Sequence, residues 1–174
     1  PVLSNYFIQK GYEGECEFTK LYGTLVHFYW IAQEKGKVNL KPLIEQFYSH
    51  FPRFKNRDPH DVQEAILCII DILERSIPEI KPWFYGKKRQ ETIWPGGKST
   101  NDEDFSIHIV TSKGHDLGEM LLKSTDWNVI ENFEDDDGKV HNVATTRMLF
   151  SSLPQVLMIS FDRKSHFKIF EQLL

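Results

Sequence analysis

Cysteine is scarce in this sequence: Cys16 and Cys68 are the only two among 174 residues. Two cysteines do not make a disulfide framework, so we expect a reducing compartment, the cytoplasm or the nucleus. Cys68 lies in the apolar run of residues 65–70, where a small buried side chain is expected. Neither a Cys-x-x-Cys nor a His-x-x-x-His spacing occurs, so the sequence predicts no metal site and no cofactor.

Charge of one sign is not concentrated anywhere in the chain. The 21 basic and 25 acidic residues give a net charge of -4 and are interspersed. Nucleic-acid binding requires a concentrated basic face, and the densest basic run, residues 87–89, is interpreted as a solvated turn or strand edge. No apolar run reaches the ~20 residues that a membrane-spanning helix needs. We therefore expect neither nucleic acid nor a membrane as the partner.

Fingerprints of several enzyme classes are also missing. No Gly-x-Ser-x-Gly motif, phosphate-binding loop or dinucleotide-binding motif is present. Cys16 precedes a predicted helix, but its neighbours Glu15 and Glu17 are expected to raise the pKa of its thiol, so it is interpreted as an ordinary cysteine. Residues 114–116 are interpreted as a turn, and the acidic residues 134–137 as a solvated turn without calcium-loop spacing.

The sequence does contain enough apolar (40%) and aromatic (13%) residues for a sizeable core. Apolar residues recur at spacings of three and four within residues 17–35 and 40–51, which predicts two helices. A third helix is predicted to have Asp58 as its cap and Pro59 in its first position. Its predicted core stripe consists of Val62, Ile66, Ile69 and Leu73.

The second half of the chain changes to strand patterns, with Asp137-Gly138 as a hairpin signal. Strands are predicted at residues 105–109, 127–133, 140–150 and 156–161, with a short helix at residues 116–123. Helices followed by strands predict an α+β fold. We expect one domain with a helical part at residues 1–78 and a β-rich part at residues 79–174.

Asp61 and Glu64 lie one turn apart at the start of the third helix. Two carboxylates in that position are suited to pairing with a basic peptide. The alternative is that Asp61 only complements the positive end of the helix dipole, an effect of roughly 0.3–1 kcal/mol. The helix alone leaves both interpretations open.

Several segments, taken in order, resemble the ubiquitin-specific proteases. His60-Asp61-Val62-Gln63-Glu64 before an apolar helix resembles their Gln-box, with Pro59 where that box usually has Gln. Leu153-Pro154-Gln155-Val156-Leu157, leading to Arg163, resembles their Leu-Pro strand, with Lys164 in place of the usual Phe. Further matches are residues 17–35 and 40–51 to the thumb helices, 84–86 to the start of the fingers, 104–109 to the strand after the fingers tip, and 117–122 to the helix that follows. The resemblance covers nearly the whole chain.

This resemblance implies a papain-like α+β fold, incomplete here, in which a helical thumb is followed by antiparallel fingers and palm. Members of the family are cysteine proteases that cleave the isopeptide bond after the last ubiquitin glycine, with a thiolate nucleophile and a histidine base. The resemblance also implies that Asp61, Val62 and Gln63 contact the extended ubiquitin tail. Ubiquitin or a ubiquitin-like protein is therefore the expected partner, together with other protein subunits.

The nucleophile and histidine boxes of the family are not among these matches. By resemblance, the first would lie upstream of Pro1 and the second downstream of Leu174, so no catalytic residue is assigned. The chain by itself is not expected to hydrolyse ubiquitin conjugates. Residues 93–97 occupy the fingers tip, where many members have Cys-x-x-Cys, so a zinc-bound tip is not expected.

Three hypotheses follow from the sequence. The first is a ubiquitin-binding domain that acts as a thiol-dependent deubiquitinase when the missing boxes are supplied. The second is a catalytically inactive relative that serves as a scaffold or protein-interaction module in a larger assembly. The third is an unrelated α+β domain.

Overall fold

The computed structural model of the protein describes residues 2–32, 37–56, 58–111 and 116–162. Helices come first and strands later, and the α+β class with an antiparallel sheet is confirmed. The α-helices are α1 (Val2–Gln9), α2 (Glu17–His27), α3 (Lys41–His50), α4 (Val62–Ser76), α5 (Lys81–Phe84) and α6 (Leu117–Ser124). The strands are β1 (Gly86–Trp94), β2 (Gly97–Phe105), β3 (Ile107–Thr111), β4 (Asn128–Glu134), β5 (Val140–Ser152) and β6 (Met158–Asp162). A π-helical turn at Phe28–Ala32 follows α2, and 3-10 turns lie at Pro52–Lys55 and Pro78–Ile80.

The chain divides into two compact units, Pro1–Lys81 and Pro82–Leu174. In the first unit, aromatic side chains fill the space between the helices. Phe7 of α1 and Phe18 of α2 are almost fully buried, and the Phe18 ring lies 6.4 Å from the Phe47 ring of α3. Large rings bury more apolar area than any other side chains, so these contacts supply much of the core of this unit.

Helix α4 begins at Val62, not at Pro59, because Asp61 rather than Asp58 is its cap. The Asp61 carboxylate accepts a hydrogen bond from the backbone N–H of Gln63 at 2.8 Å. That bond satisfies one of the amides that the first turn of a helix leaves without an internal partner. The predicted cap at Asp58 is therefore wrong by one turn.

The predicted core stripe of α4 is wrong in its first half. Val62 is 71% exposed and Ile66 is 39% exposed, whereas Leu73 is fully buried. The second half of α4 is the part that packs against α2, where the Thr19 hydroxyl donates to Ser76 Oγ at 2.9 Å. Burial along α4 therefore follows the packing of neighbouring elements and not the helix's own periodicity. The buried side chains of α4 are Cys68, Ile70, Ile72 and Leu73.

In the second unit, four strands form an antiparallel sheet in the order β2-β1-β5-β4. Two hairpins build it: β1 and β2 meet at Pro95-Gly96, and β4 and β5 meet at Asp137-Gly138. Gly96 and Gly138 have φ values of 99° and 76°, a left-handed conformation that favours glycine. The hairpin predicted at Asp137-Gly138 is confirmed.

A second, two-stranded sheet departs from the expectation of a purely antiparallel β-rich part. The predicted strand at residues 105–109 is divided at Ser106, so that Phe105 ends β2 and Ile107 begins β3. Strand β3 pairs with β6 in parallel, with Ile107 opposite Met158. Parallel strands need a long connection, which here contains α6 and the hairpin of β4 and β5.

Some predicted features lie outside the described residues. These are the last part of the helix predicted at residues 17–35, the Gly114-His115 part of the predicted turn, and Arg163 and Lys164. Among the residues that the structure describes, no helix is long and apolar enough to cross a membrane.

Candidate functional site

The start of α4 presents one open carboxylate. Asp61 has extended backbone geometry (φ -71°, ψ 125°) and an exposed side chain, and its Oδ1 accepts the N–H of Gln63. Within the described part of the chain, no hydrogen bond or ion pair to Asp61 Oδ2 is found. An ionised carboxylate has about four acceptor sites, so Oδ2 is available to a donor from outside.

The residues next to Asp61 differ in their solvent exposure. Val62 is 71% exposed, while Gln63 is half-buried. The structure therefore brings the three predicted site residues together at one helix end. An apolar side chain and a free carboxylate oxygen lie side by side there.

Glu64, the other carboxylate of this turn, is already engaged. Its Oε1 lies 2.8 Å from Nη2 of Arg53, in the 3-10 turn that precedes α4 in the chain. The two carboxylates that the sequence groups together are thus unequal, because Asp61 keeps an open oxygen and Glu64 is paired.

The Arg53 guanidinium is itself fixed on an aromatic platform. Its Cζ lies 5.2 Å from the Phe54 ring centroid and 5.6 Å from that of Phe51, distances at which a cation is attracted to a ring face. Nη2 also lies 3.3 Å from the buried Sγ of Cys68, to which it donates. The expectation that Cys68 is buried is confirmed, and burial raises the pKa of its thiol.

His60, just before Asp61, packs on the same aromatic platform. The His60 ring lies 4.8 Å from the Phe54 ring, which is 6% exposed. Asn56 Nδ2 donates to Asp58 Oδ2 at 2.7 Å, so the amide oxygen of Asn56 is left to accept from His60 Nε2–H. Asp58, the predicted cap, is instead part of the loop that precedes α4.

Sequence analysis did not identify Arg53 as part of the site. The only local signal is an arginine between two phenylalanines, Phe51 and Phe54, just ahead of the third helix. Such a spacing allows cation–π contacts, but the partner Glu64 lies in a different element, and its pairing with Arg53 becomes visible only in the fold.

Cys16 departs from its predicted chemistry. It caps α2 and is partly exposed. Burial acts to raise the pKa of its thiol, but the neighbouring polar groups of Ser76, Thr19 and Phe18 outweigh burial, and the pKa is lowered. The prediction that flanking carboxylates would raise this pKa is therefore wrong.

A cavity of about 360 Å³ opens beside Cys16. The other side chains that line it are Tyr12, Glu15, His50, Ile72, Arg75 and Ser76. No hydrogen bond joins Cys16 to His50 in the described residues, so the structure does not pair a nucleophile with a base there.

The tip of the β1–β2 hairpin is held by rings. Trp94 lies 5.1 Å from Phe133 and 5.7 Å from His141, measured between ring centroids. His141 Nε2 is 2.7 Å from Asp135 Oδ2, and this contact, with the N–H of Lys139, lowers the pKa of Asp135. Among the described residues, no group of three or more His, Cys, Asp or Glu is placed to hold a metal ion.

Comparison with known proteins gives a likeness of fold. No protein-family model matches the chain, and no curated protein matches it. A chain in the solved structure of the SAGA Ubp8/Sgf11/Sus1/Sgf73 DUB module bound to ubiquitin aldehyde is similar, with a TM-score of 0.68 and 16% sequence identity. The match covers 88% of this chain and 38% of that chain, so this chain spans well under half of its neighbour's length. The chain therefore has a mixed α+β fold that is similar, at a coarse level, to part of that module.

Proposed function

We propose that this chain is the central part of a ubiquitin-specific protease-like domain and that it recognises ubiquitin or a ubiquitin-like protein. The observation that carries the proposal is the likeness of fold, over 88% of the chain, to a chain of a DUB module bound to ubiquitin aldehyde. Hydrolysis of ubiquitin conjugates by thiol chemistry is proposed to require the Cys and His boxes of the family. The chain alone is proposed to bind and not to cleave.

The tail of the partner is proposed to lie across the start of α4. Asp61 offers a carboxylate oxygen that no donor among the described residues uses, and Val62 offers exposed apolar surface next to it. The N–H of Gln63 fixes the other oxygen of Asp61 and so sets the direction of the open one. A basic side chain or a backbone N–H of an extended segment would make a charge-assisted hydrogen bond there.

The test is the affinity of Asp61→Asn for ubiquitin, measured by calorimetry or by NMR titration. Asparagine is as good a helix cap as aspartate, so this variant removes the charge and keeps the fold. Hydrogen bonds to charged groups contribute about 1.5–3 kcal/mol, so the affinity is expected to fall about tenfold or more.

Asp116→Asn is the matched control. Asp116 caps α6 in the same way, with Oδ1 accepting the N–H of Glu119 at 2.8 Å. Weaker binding by Asp61→Asn alone would support the tail site. Equal weakening by both variants would mean that the effect comes from the change in net charge of the chain. Asp61 would then no longer be assigned to the tail site. No binding of ubiquitin by the unmodified chain would overturn the proposed function itself.

A second candidate function is that of a catalytically inactive relative serving as a scaffold or interaction module. The fingers tip favours it, because residues 93–97, by resemblance, replace the Cys-x-x-Cys of many members, and Trp94 of this segment packs on the rings of Phe133 and His141. The test is cleavage of a fluorogenic ubiquitin C-terminal amide by the native full-length protein. Turnover would reject the inactive relative, and ubiquitin binding without turnover would support it.

A further inference from the structure

The first turn of α4 has little packing of its own. Val62 in this turn is 71% exposed and Ile66, at the start of the next turn, is 39% exposed, so neither apolar side chain is buried against a neighbouring element. First turns of helices are also where backbone amides lack internal partners and where fraying begins. Some other contact must hold the turn that carries Asp61.

The ion pair of Arg53 and Glu64 is such a contact. Asp61 is the cap and Glu64 lies three residues after it, so Glu64 belongs to the turn that Asp61 begins. The 2.8 Å contact of Glu64 with Nη2 of Arg53 ties this turn to the 3-10 turn at Pro52–Lys55. A surface ion pair is usually weak, but this guanidinium is already positioned, so less side-chain entropy is lost in forming the pair.

Three contacts position the guanidinium of Arg53. It lies over the rings of Phe51 and Phe54, and it donates to the buried Sγ of Cys68, which is on α4 itself. Arg53 therefore bridges two turns of α4, one through Glu64 and the next through Cys68.

We propose that Arg53 and Glu64 are positioning residues for the open carboxylate of Asp61, an inference that rests on the proposed role of Asp61 in tail recognition. The pair has two effects. It fixes the turn so that Asp61 Oδ2 stays within the narrow distance range of a strong hydrogen bond. It also neutralises Glu64, so that a single free carboxylate, and not two, meets the incoming basic group.

The first consequence is coupling between Glu64 and Asp61. Glu64→Gln breaks the ion pair without creating a new charge, and it is expected to weaken ubiquitin binding about fivefold. In the Asp61→Asn background the same change is expected to have less than about a twofold effect, because Glu64 acts through Asp61. A residue that only stabilised the fold would lower the affinity equally in both backgrounds.

The second consequence concerns selectivity. Arg53→Met also breaks the pair, but it leaves Glu64 as a second free carboxylate beside Asp61. We therefore expect Arg53→Met to bind an unrelated polylysine peptide more tightly than Glu64→Gln does, with a stronger dependence on salt. Arg53→Lys retains a cation near Glu64 and is expected to restore part of the ubiquitin affinity.

A matched control exists in the second unit. Glu119 occupies the same position relative to the Asp116 cap of α6 and pairs with Lys123 at 2.7 Å. Glu119→Gln therefore removes the same charge from an equivalent helix turn. It is expected to leave ubiquitin affinity and the Asp61→Asn effect unchanged.

A readout without ubiquitin tests the positioning directly. The N–H of Gln63 is bonded to Asp61, so its hydrogen exchange reports how firmly the turn is held. Glu64→Gln is expected to speed exchange at Gln63 about tenfold, and Glu119→Gln is expected not to change it.

The outcomes separate this inference from the proposed function. If Asp61→Asn weakens binding while Glu64→Gln changes neither the affinity nor the exchange at Gln63, only the positioning role is overturned. Additive effects of the two substitutions would also overturn it. If neither Asp61→Asn nor Glu64→Gln affects ubiquitin, both the tail site and its positioning pair are rejected.

Discussion

His108 of β3 leads to a prediction about how the stability of the second unit depends on pH. Its side chain is 4% exposed, its ring packs on Phe150, and its Nε2 lies 2.7 Å from Ser124 Oγ in α6. The Ser124 hydroxyl donates its one proton to the carbonyl of Leu121, so His108 Nε2–H must be the donor to Ser124. His108 Nδ1 is buried and has no hydrogen-bond partner in the part of the chain that the structure describes. A proton added there makes a buried cation without an acceptor.

Burial, and secondarily the positive charge of Lys88, lowers the pKa of His108 from 6.5 to about 4. Lys88 is 9% exposed, and its ammonium lies 4.4 Å from the Phe105 ring centroid. In the unfolded chain the pKa of histidine is about 6.5. The unfolded state therefore takes up the proton first as the pH falls, and the free energy of unfolding decreases from about pH 6.5 to about pH 4.

The expected magnitude follows from the two pKa values of His108. They differ by about 2.5, which corresponds to about 3 kcal/mol in total and about 2 kcal/mol between pH 6.5 and pH 4.5. Asp102 and Asp135 have pKa values below the ordinary 3.8, so their contributions are lost only below about pH 4. The interval from pH 6.5 to 4.5 therefore lies above the range in which these two carboxylates lose their contributions, and substitution of His108 measures the share that His108 itself contributes.

The assay is urea unfolding at pH 7.5, 6.5, 5.5 and 4.5, followed by tryptophan fluorescence. Replacing the exposed Trp30 with Phe leaves Trp83, Trp94 and Trp127, all in the second unit, as probes. In this background His108→Phe keeps an aromatic ring and removes the titrating group. It is expected to abolish the loss between pH 6.5 and 4.5.

Substitution of the exposed His27 by Gln, in the first unit, is the control and is expected to keep the pH dependence. Two results would refute the reasoning about His108. One is a free energy of unfolding that does not fall between pH 6.5 and 4.5 before any substitution. The other is a His108→Phe variant that loses stability as steeply as the parent.

Two further predictions concern the first unit. Cys16, with its lowered pKa, is expected to react with iodoacetamide at pH 7.5 well before the buried Cys68, whose pKa is raised, and peptide mass mapping that found Cys68 labelled as fast as Cys16 would contradict this expectation. Leu73 is fully buried, so Leu73→Ala is expected to lower the free energy of unfolding by about 2–5 kcal/mol. Val62 is exposed, so Val62→Ala is expected to lower it by less than about 0.5 kcal/mol. Equal losses of the two variants in urea titrations would mean that Val62 is part of the core.

The start of α4 shows where local sequence signals are ambiguous. Asp58 followed by Pro59 is a good helix start, and Asp61 followed by Val62 is another. The chain uses the second, because Asp58 is engaged by Asn56 in the preceding loop. Sequence predicted the helix and an aspartate as its cap, whereas the choice between the two aspartates depends on side-chain contacts in the preceding loop.

Which face of α4 is buried was not predictable for a related reason. Apolar residues occur on more than one face of this helix, since Leu67, Ile70 and Ile72 accompany the expected stripe. Periodicity then fits several rotations of the helix equally well. The contact with α2, which includes Thr19 and Ser76, selects one of them.

The strands also show that features encoded by neighbouring residues are predictable from sequence, whereas features that depend on distant residues are not. The hairpin at Asp137-Gly138 is encoded by two adjacent residues and was predicted. The parallel pairing of Ile107 with Met158 joins residues about fifty positions apart, and no turn chemistry between neighbours encodes it. Distant pairing is set by the packing of whole elements, so it became evident only in the fold.

The candidate site combines both kinds of information. The resemblance to the ubiquitin-specific proteases predicted Asp61, Val62 and Gln63 as site residues, and that prediction rests on one local segment of the sequence. The sequence itself did not distinguish Asp61 from Glu64, since both are carboxylates on one helical turn. The distinction depends on Arg53, which lies in another element and, among the described residues, forms an ion pair with Glu64 and not with Asp61. The chemistry available at this helix end is thus set by which carboxylate the fold leaves unpaired, and the coupling between Glu64→Gln and Asp61→Asn measures that effect directly.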